Sequence, residues 1–157
     1  MAEANQDARE RITVEDGVTT GTGPGRAGES IALPPVIITD AGTIQNIPLK
    51  YQRWVGVSVI HCKAGSKRSN HWHRSDWHQL YVVSGEMLYV ECDVLDSGGL
   101  GPRAESVYRA GECVFTGPHK AHATFFPVDT VLVSIAARPQ DADSRGADCV
   151  RLKEPLL

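Results

Sequence analysis

The stretch that decides the fold is Gly65-Ser-Lys-Arg-Ser-Asn-His71-Trp-His73-Arg-Ser-Asp-Trp-His78-Gln-Leu-Tyr-Val-Val-Ser-Gly85. His71 and His73 lie two residues apart, so on a β-strand both side chains point to the same face. On an α-helix the same pair would lie about 200° apart around the axis. Helix-breaking residues precede the pair, and the run 80–83 is rich in β-forming residues. The stretch therefore predicts two strands joined by the turn 74–76, with three imidazoles converging.

A second histidine-bearing segment runs Gly111-Glu-Cys-Val-Phe-Thr-Gly-Pro-His-Lys-Ala-His122. It has a glycine turn, a short apolar strand, a Gly-Pro turn and a histidine that opens another strand. Divalent transition metals bind neutral imidazole nitrogens, and strands fix such ligands before the ion arrives. We predict one divalent transition metal (zinc, iron, copper, manganese or nickel) held by His71, His73, His78 and His122. His61 and His119 lack a partner at ligand spacing and are expected to be structural or exposed.

Composition limits the class of protein. The chain has 157 residues, of which 41% are hydrophobic, which suits one globular domain with a core. The net charge is −3 and no nucleic-acid-reading motif is present, so nucleic acid is not an expected partner. No apolar run approaches ~18 residues, so no membrane span is expected. The N-terminus lacks the pattern of a secretory signal and the four cysteines are widely spaced, which indicates a cytoplasmic protein with buried thiols.

The chain divides into an arm and a β-rich domain. Residues 1–33 are polar and glycine-rich, and we expect a flexible arm, with the folded domain covering 34–157. Short strands separated by turns are predicted at 36–39, 44–47, 54–60, 79–84, 87–94, 106–108, 113–116, 123–126, 130–136 and 150–152. Regular short strands predict an all-β sandwich or barrel. Its core is expected to contain Val57, Val59, Leu80, Val82, Leu88, Val90, Phe115, Val131, Val133 and Ile135.

Several side chains near the histidines are candidates for chemistry. Tyr89, Arg53 and Asp76 are candidate catalytic residues, although Asp76 also suits a turn. Thr124 and Phe126 share the strand parity of His122 and are expected to line the cavity beside the metal. Lys67 and Arg68 are read either as a solvated turn or as an anion-binding rim. Four neutral ligands leave the charge of the ion uncancelled, so the site should attract anionic or enolisable oxygen ligands.

These motifs resemble the two signature motifs of the cupin superfamily. Gly65, His71, His73 and Gly85 fall in register with the first motif, in which a Glu stands where this chain has His78. Gly111 and His122 match the second motif, while 117–119 departs from its usual Pro-x-Gly turn. The resemblance covers about residues 50–137. It implies a jelly-roll β-barrel with a metal inside, and commonly a homodimer.

The resemblance leaves three functions open. The first is a metal-dependent isomerase, epimerase or cyclase that enolises a small sugar-like or polyketide-like carbonyl substrate. The second is an iron- or copper-dependent dioxygenase. The third is a non-catalytic cupin that binds a metal and a ligand, because a fold does not determine a function. Some phrases, such as Asn70-His-Trp-His73, are also similar to single-domain cupins of the sugar-epimerase type.

Overall fold

Short β-strands make up almost all of the regular secondary structure. The structure is a computed structural model, and it describes residues 31–49, 55–137 and 148–157. Its eleven strands, in chain order, are β1 (Ile37–Thr39), β2 (Gly42–Ile47), β3 (Gly56–Cys62), β4 (Lys67–His73), β5 (His78–Ser84), β6 (Glu86–Asp93), β7 (Ala104–Arg109), β8 (Cys113–Thr116), β9 (Lys120–Phe125), β10 (Thr130–Ala136) and β11 (Cys149–Arg151).

The strands form two antiparallel sheets. The six-stranded sheet has the order β1-β2-β3-β10-β5-β8, and the five-stranded sheet has the order β11-β4-β9-β6-β7. The chain crosses from one sheet to the other after β3, β4, β5, β7, β8, β9 and β10. This arrangement confirms the predicted all-β jelly roll. In the described residues the hydrogen-bond ladders of the two sheets do not join, so the jelly roll is an open sandwich.

The main core lies between the two sheets. Across the six-stranded sheet, Ile44 is paired with Ile60, Ile60 with Leu132, and Leu132 with Val82, so these inward side chains form one row. Met87 and Phe126 belong to the same core, and both are fully buried. Burying an apolar side chain of this size contributes about 1.5–3 kcal/mol, so this row fixes the spacing of the sheets.

The expected core was wrong in three strands of the six-stranded sheet. The valines of β3, one apolar residue of β8 and three of β10 face outward: Val57, Val59, Phe115, Val131, Val133 and Ile135 are half-buried or exposed. The inward positions of these strands carry other apolar residues, such as Ile60 and Leu132, and small polar residues, among them Ser58 and Thr130. The Ser58 hydroxyl donates to Asn46 Oδ1 at 2.7 Å, and the Thr130 hydroxyl donates to the Glu86 carbonyl at 2.9 Å. Because their hydroxyls are satisfied, these side chains are buried without a polar penalty.

The expected core residues Leu80, Val82 and Val90 are buried. Leu88 and Val90 belong to a second core, on the outer face of the five-stranded sheet. There the side chains of Leu152, Leu156 and Leu157 cover the strands, together with Trp72 from β4. The C-terminal segment is therefore an integral layer of the fold.

The turn from β5 to β6 depends on Gly85. Its φ is +88°, and a Cβ there would lie 2.4 Å from Thr130 Oγ1 and 2.6 Å from the Asp129 carbonyl oxygen. This close approach lets the Glu86 amide donate to Thr130 Oγ1 at 3.1 Å. Only glycine combines that backbone angle with that clearance.

Leu33–Leu157 form one compact unit. Residues 1–30 lie outside the described residues, so the division into an arm over 1–33 and a domain over 34–157 stays a prediction. Within the described parts of the chain, no helix is long and apolar enough to cross a membrane.

Candidate metal centre

Three histidines from adjacent strands of one sheet meet inside the sandwich. His71 and His73 lie on β4, and His122 lies on β9, where it is directly paired with His71. One ring nitrogen from each lies within 4.8 Å of the others. The Nε2 atoms of His71 and His73 are 3.1 Å apart. Two nitrogens bonded to one ion at about 2.0–2.1 Å and at about 90–110° lie roughly 2.9–3.4 Å apart, so the spacing suits a shared metal.

A β-bulge just before His71 sets which side chains face the interior. Ser69 and Asn70 have positive φ angles of 69° and 58°, and the register with β9 shifts between Ser69 and His71. Simple alternation would place Arg68 on the opposite face from His71. Because the bulge adds one residue, Arg68 shares the interior face with both histidines of β4. The sequence Ser69-Asn70 is a weak signal for the bulge, because asparagine tolerates the left-handed region of backbone conformation.

The hydrogen bonds of the histidines define their tautomers. His122 Nδ1 lies 3.0 Å from the carbonyl oxygen of Lys120, and His73 Nδ1 lies 2.9 Å from the Asp148 carboxylate. Both partners only accept, so Nδ1 carries the proton in each ring and Nε2 holds a lone pair. His122 Nε2 is buried without a hydrogen-bond partner in the structure. A buried lone pair with no donor is what a metal would satisfy, so these residues fit the implied ion.

His78 stands beside this group and comes from the other sheet. β4 and β5 belong to different sheets, so the histidines of 71–78 do not lie on one hairpin as the sequence suggested. The His78 ring centroid is 4.8 Å from that of His122 and 5.6 Å from that of His73. His78 is not part of the set of nitrogens within 4.8 Å of each other. The structure therefore brings all four predicted ligands to one place, with three of them in close contact.

The buried rings are held in the neutral form that metals bind. Burial, reinforced by the nearby His122 and His73 rings, lowers the pKa of His71 to about 3. Burial likewise lowers the pKa of His122 to about 4 and keeps the pKa of His78 well below its ordinary value. Protons therefore compete weakly with a cation for these imidazoles near neutral pH.

Comparisons with known proteins give the fold a name. Structures of CapF, the capsular polysaccharide assembling protein of Staphylococcus aureus, superpose with TM-scores of 0.61–0.64 at 21–24% identity, over 78–80% of this chain and 32–36% of theirs. The oxalate decarboxylase–formate complex of Lactobacillus farciminis superposes with a TM-score of 0.61 at 14% identity, over 80% of this chain and 38% of that one. The CENP-C cupin domain of Drosophila melanogaster superposes with a TM-score of 0.51 at 20% identity, over 66% of this chain and 73% of that one.

This is the cupin fold. The matched region spans about a third of the length of the CapF structures. No protein-family model matches the sequence, and no curated protein matches it. The fold and the histidine group together fit a metal-dependent cupin.

Asp148 is a residue of this site that the sequence did not predict. Its carboxylate accepts from His73 Nδ1, from the Ser75 amide at 2.8 Å and from the Ser75 hydroxyl at 2.7 Å. Burial alone would raise the pKa of Asp148, but the hydrogen bonds from Ser75 and His73 lower it below its ordinary value, so the group is ionised near neutral pH. A carboxylate behind a ligand imidazole fixes the ring and raises its basicity. No local pattern marks Asp148, because it reaches the histidine only when β11 pairs with β4.

The cupin sandwich encloses a cavity of about 380 Å³ next to the histidines. Ile44, Ile60, Leu80 and Leu132 contribute an apolar wall. Five candidates from the sequence line it: Thr124, Phe126, Lys67, Arg68 and Asp76. Three further residues come from the C-terminal segment: Asp148, Cys149 and Arg151.

The other two catalytic candidates are placed differently. Tyr89 is buried behind His122, with parallel rings 6.2 Å apart, and its hydroxyl lies 2.7 Å from Thr116 Oγ1. It lines a second, smaller cavity of about 200 Å³, and burial raises its pKa. Arg53 lies outside the described residues. His61 is exposed, and His119 stacks on Trp72 on the far side of the sheet.

Proposed function

We propose that this cupin is a metal-dependent enzyme that enolises a small carbonyl compound, as an isomerase, epimerase or cyclase does. The observation that carries the proposal is the group of His71, His73 and the fully buried His122, opening on a cavity that also holds a carboxylate, Asp76. When bound, the metal supplies Lewis acidity that acidifies a C–H bond next to a carbonyl. We propose His78 as the fourth ligand, because its ring adjoins His122.

Asp76 is the residue we propose to move the proton. Its carboxylate lies within 4.8 Å of the ligand atoms of His73 and Asp148, at the metal side of the cavity. One of its oxygens accepts from the Trp77 amide at 2.8 Å, which fixes the side chain. Thr124 and Phe126 would contact the substrate, and the apolar wall would exclude water from the exchanging proton.

The test is proton exchange in D₂O. Metal-loaded protein is incubated without O₂ with hydroxy-ketones, sugar-derived ketones and 1,3-dicarbonyl compounds, and loss of the C–H signal is followed by proton NMR. Sugar-like compounds are included because of the likeness to CapF. We expect exchange in at least one of these classes, and Asp76→Asn should slow it by about 10²-fold or more without changing metal content. Asp96→Asn, in an exposed loop, is the matched control and should behave as wild type.

The same assay separates the alternatives. Turnover that requires O₂ would replace the enolisation proposal by the dioxygenase function. Binding of a carbonyl compound without exchange or turnover would favour the non-catalytic cupin. Elemental analysis of the purified protein identifies the metal.

We also propose that the protein is a homodimer through the outer face of the six-stranded sheet. Val59, Val133 and Tyr81 lie side by side across its centre, and Phe115 is 59% exposed beside Trp77. Among the described strands of this sheet, no outward position carries Asp, Glu, Lys or Arg. Because this broad apolar face carries no charged side chain, two copies of it do not repel each other. In a monomer the face would be exposed to water.

Sedimentation velocity tests the dimer. Val133→Glu, at the centre of the face, should shift the protein to monomer. Val107→Glu introduces the same charge at a 40% exposed valine on β7 and should leave the dimer intact. A wild-type protein that sediments as a monomer at micromolar concentration would contradict the proposal. We propose a cytoplasmic location, supported by Cys62, Cys92 and Cys113, none of which forms a disulfide among the described residues.

A further inference from the structure

The cavity carries a second recognition element, beside the histidines. Arg68 and Arg151 both line it, and they come from the adjacent strands β4 and β11. The bulge at Ser69 and Asn70 turns Arg68 inward. Arg151 is paired directly with His71 and lines the same cavity, on its solvent-exposed side.

Among the described residues, neither guanidinium has a carboxylate partner at ion-pair distance. In the described parts of the chain, the ion pairs of arginines involve Arg103 and Arg109. Arg68 Nη2 lies 3.5 Å from Thr39 Oγ1 and 3.4 Å from the His61 carbonyl oxygen, and the guanidinium also lies within hydrogen-bonding reach of the Cys62 thiol. Its Nε is buried without a hydrogen-bond partner. Arg151 uses Nη1 to donate to the Ser69 carbonyl at 2.8 Å. A buried guanidinium nitrogen without a partner is costly, and a ligand oxyanion would remove that cost.

The charges around the cavity favour an anion. Its lining holds three cationic side chains, Lys67, Arg68 and Arg151, against the carboxylates of Asp76 and Asp148. The Asp148 carboxylate is already engaged by Ser75 and His73. A metal at the histidines would add further positive charge.

We propose that Arg68 and Arg151 bind the carboxylate of a substrate whose apolar body packs on the inner wall of the six-stranded sheet. Guanidinium forks match the planar geometry of a carboxylate. The wall of Ile44, Ile60, Leu80 and Leu132 suits an aliphatic chain, and the volume suits a small molecule. The substrate class is thus a carboxylic acid with an apolar chain and a carbonyl. This assignment rests on the proposed function for the carbonyl, whereas the carboxylate site stands on the arginines alone.

Binding to the metal-free full-length protein tests the site separately from catalysis. The probe is 4-methyl-2-oxopentanoate, with its methyl ester as the uncharged analogue, and affinity is measured by calorimetry and saturation-transfer NMR. We expect the acid to bind at least about tenfold more tightly than the ester. Arg68→Gln and Arg151→Gln should each weaken binding of the acid about tenfold and leave the ester unchanged. Arg103→Gln removes a surface charge that is paired with Glu105 and should have no effect.

Equal affinity for acid and ester, or unchanged affinity in both cavity arginine variants, would overturn the proposal. Inorganic phosphate binding more tightly than the acid would overturn the carboxylate assignment. Circular dichroism of each variant separates a folding defect from a binding defect. If no proton exchange is seen but the acid still binds and its binding depends on the two arginines, the proposed catalysis is contradicted. The carboxylate site is then still supported.

Discussion

Replacing Asp148 by Asn should weaken metal binding while preserving the fold. The substitution is nearly isosteric, and the amide oxygen can still accept from the Ser75 amide and hydroxyl. In the variant, the amide nitrogen faces His73 Nδ1. In the wild-type protein, the carboxylate accepts a hydrogen bond from that nitrogen at 2.9 Å. Two donors cannot share that contact, so the imidazole must move its proton to Nε2. That nitrogen is the one that faces His71 at 3.1 Å, and once protonated it cannot bind a cation.

The expected loss follows from this change of tautomer. Removing the partner of a ligand histidine typically lowers metal affinity about 10- to 100-fold, which corresponds to about 1.4–2.7 kcal/mol. The measurement is a competition titration at pH 7 in which a chromophoric chelator and the protein share zinc. Thermal unfolding of the metal-free proteins checks that Asp148→Asn is folded.

Ser75→Ala is the matched control. It removes a hydrogen bond to the same carboxylate but leaves the oxygen that accepts from His73, so zinc affinity should change less than about threefold. Zinc affinity of Asp148→Asn within about threefold of wild type would refute the proposed role of the Asp148–His73 contact. Equal losses in Asp148→Asn and Ser75→Ala would refute the tautomer mechanism.

The remaining predictions concern the ligands, acid stability and a turn. His122→Ala should abolish stoichiometric metal binding and His78→Ala should weaken it, as measured by elemental analysis after dialysis. Unchanged metal content in His122→Ala would contradict the proposed site. The metal-free protein should lose stability as the pH falls from about 6.5 towards 4. The folded pKa values of about 3 for His71 and about 4 for His122 lie below the unfolded value, so unfolding takes up protons. Denaturant titrations at several pH values should show a slope of about 1.4 kcal/mol per pH unit for each imidazole involved, and a flat profile would contradict the depressed pKa values. Gly85→Ala should lower the free energy of unfolding by more than about 2 kcal/mol, because of its φ and its contact with Thr130, while Gly98→Ala, with positive φ and open space, should cost about 1 kcal/mol.

The sequence alone determined the class of fold and singled out the histidines that meet in the structure. Histidines two apart in a β-rich setting must share a face, because the side-chain period of a strand is fixed by the pleat. The glycines and turn residues marked where the strands end. For this reason the strands over 36–136 and the histidines of both motifs could be read from local patterns, and the histidines do meet in the structure.

The tertiary structure decided which side chains face the interior and which distant residues meet, features that local sequence patterns do not encode. The valines of β3 and β10 could face either way, because both faces of those strands carry residues that can be buried, and the packing of the sheets selected Ser58 and Leu132 for the interior. The bulge before His71 reversed the parity of Arg68. Asp148 and Arg151 reached the cavity only through the pairing of β11 with β4, a contact between residues more than seventy positions apart in the chain. Such contacts depend on which strands become neighbours, and that is set by the free energy of the whole packed sandwich rather than by any short segment.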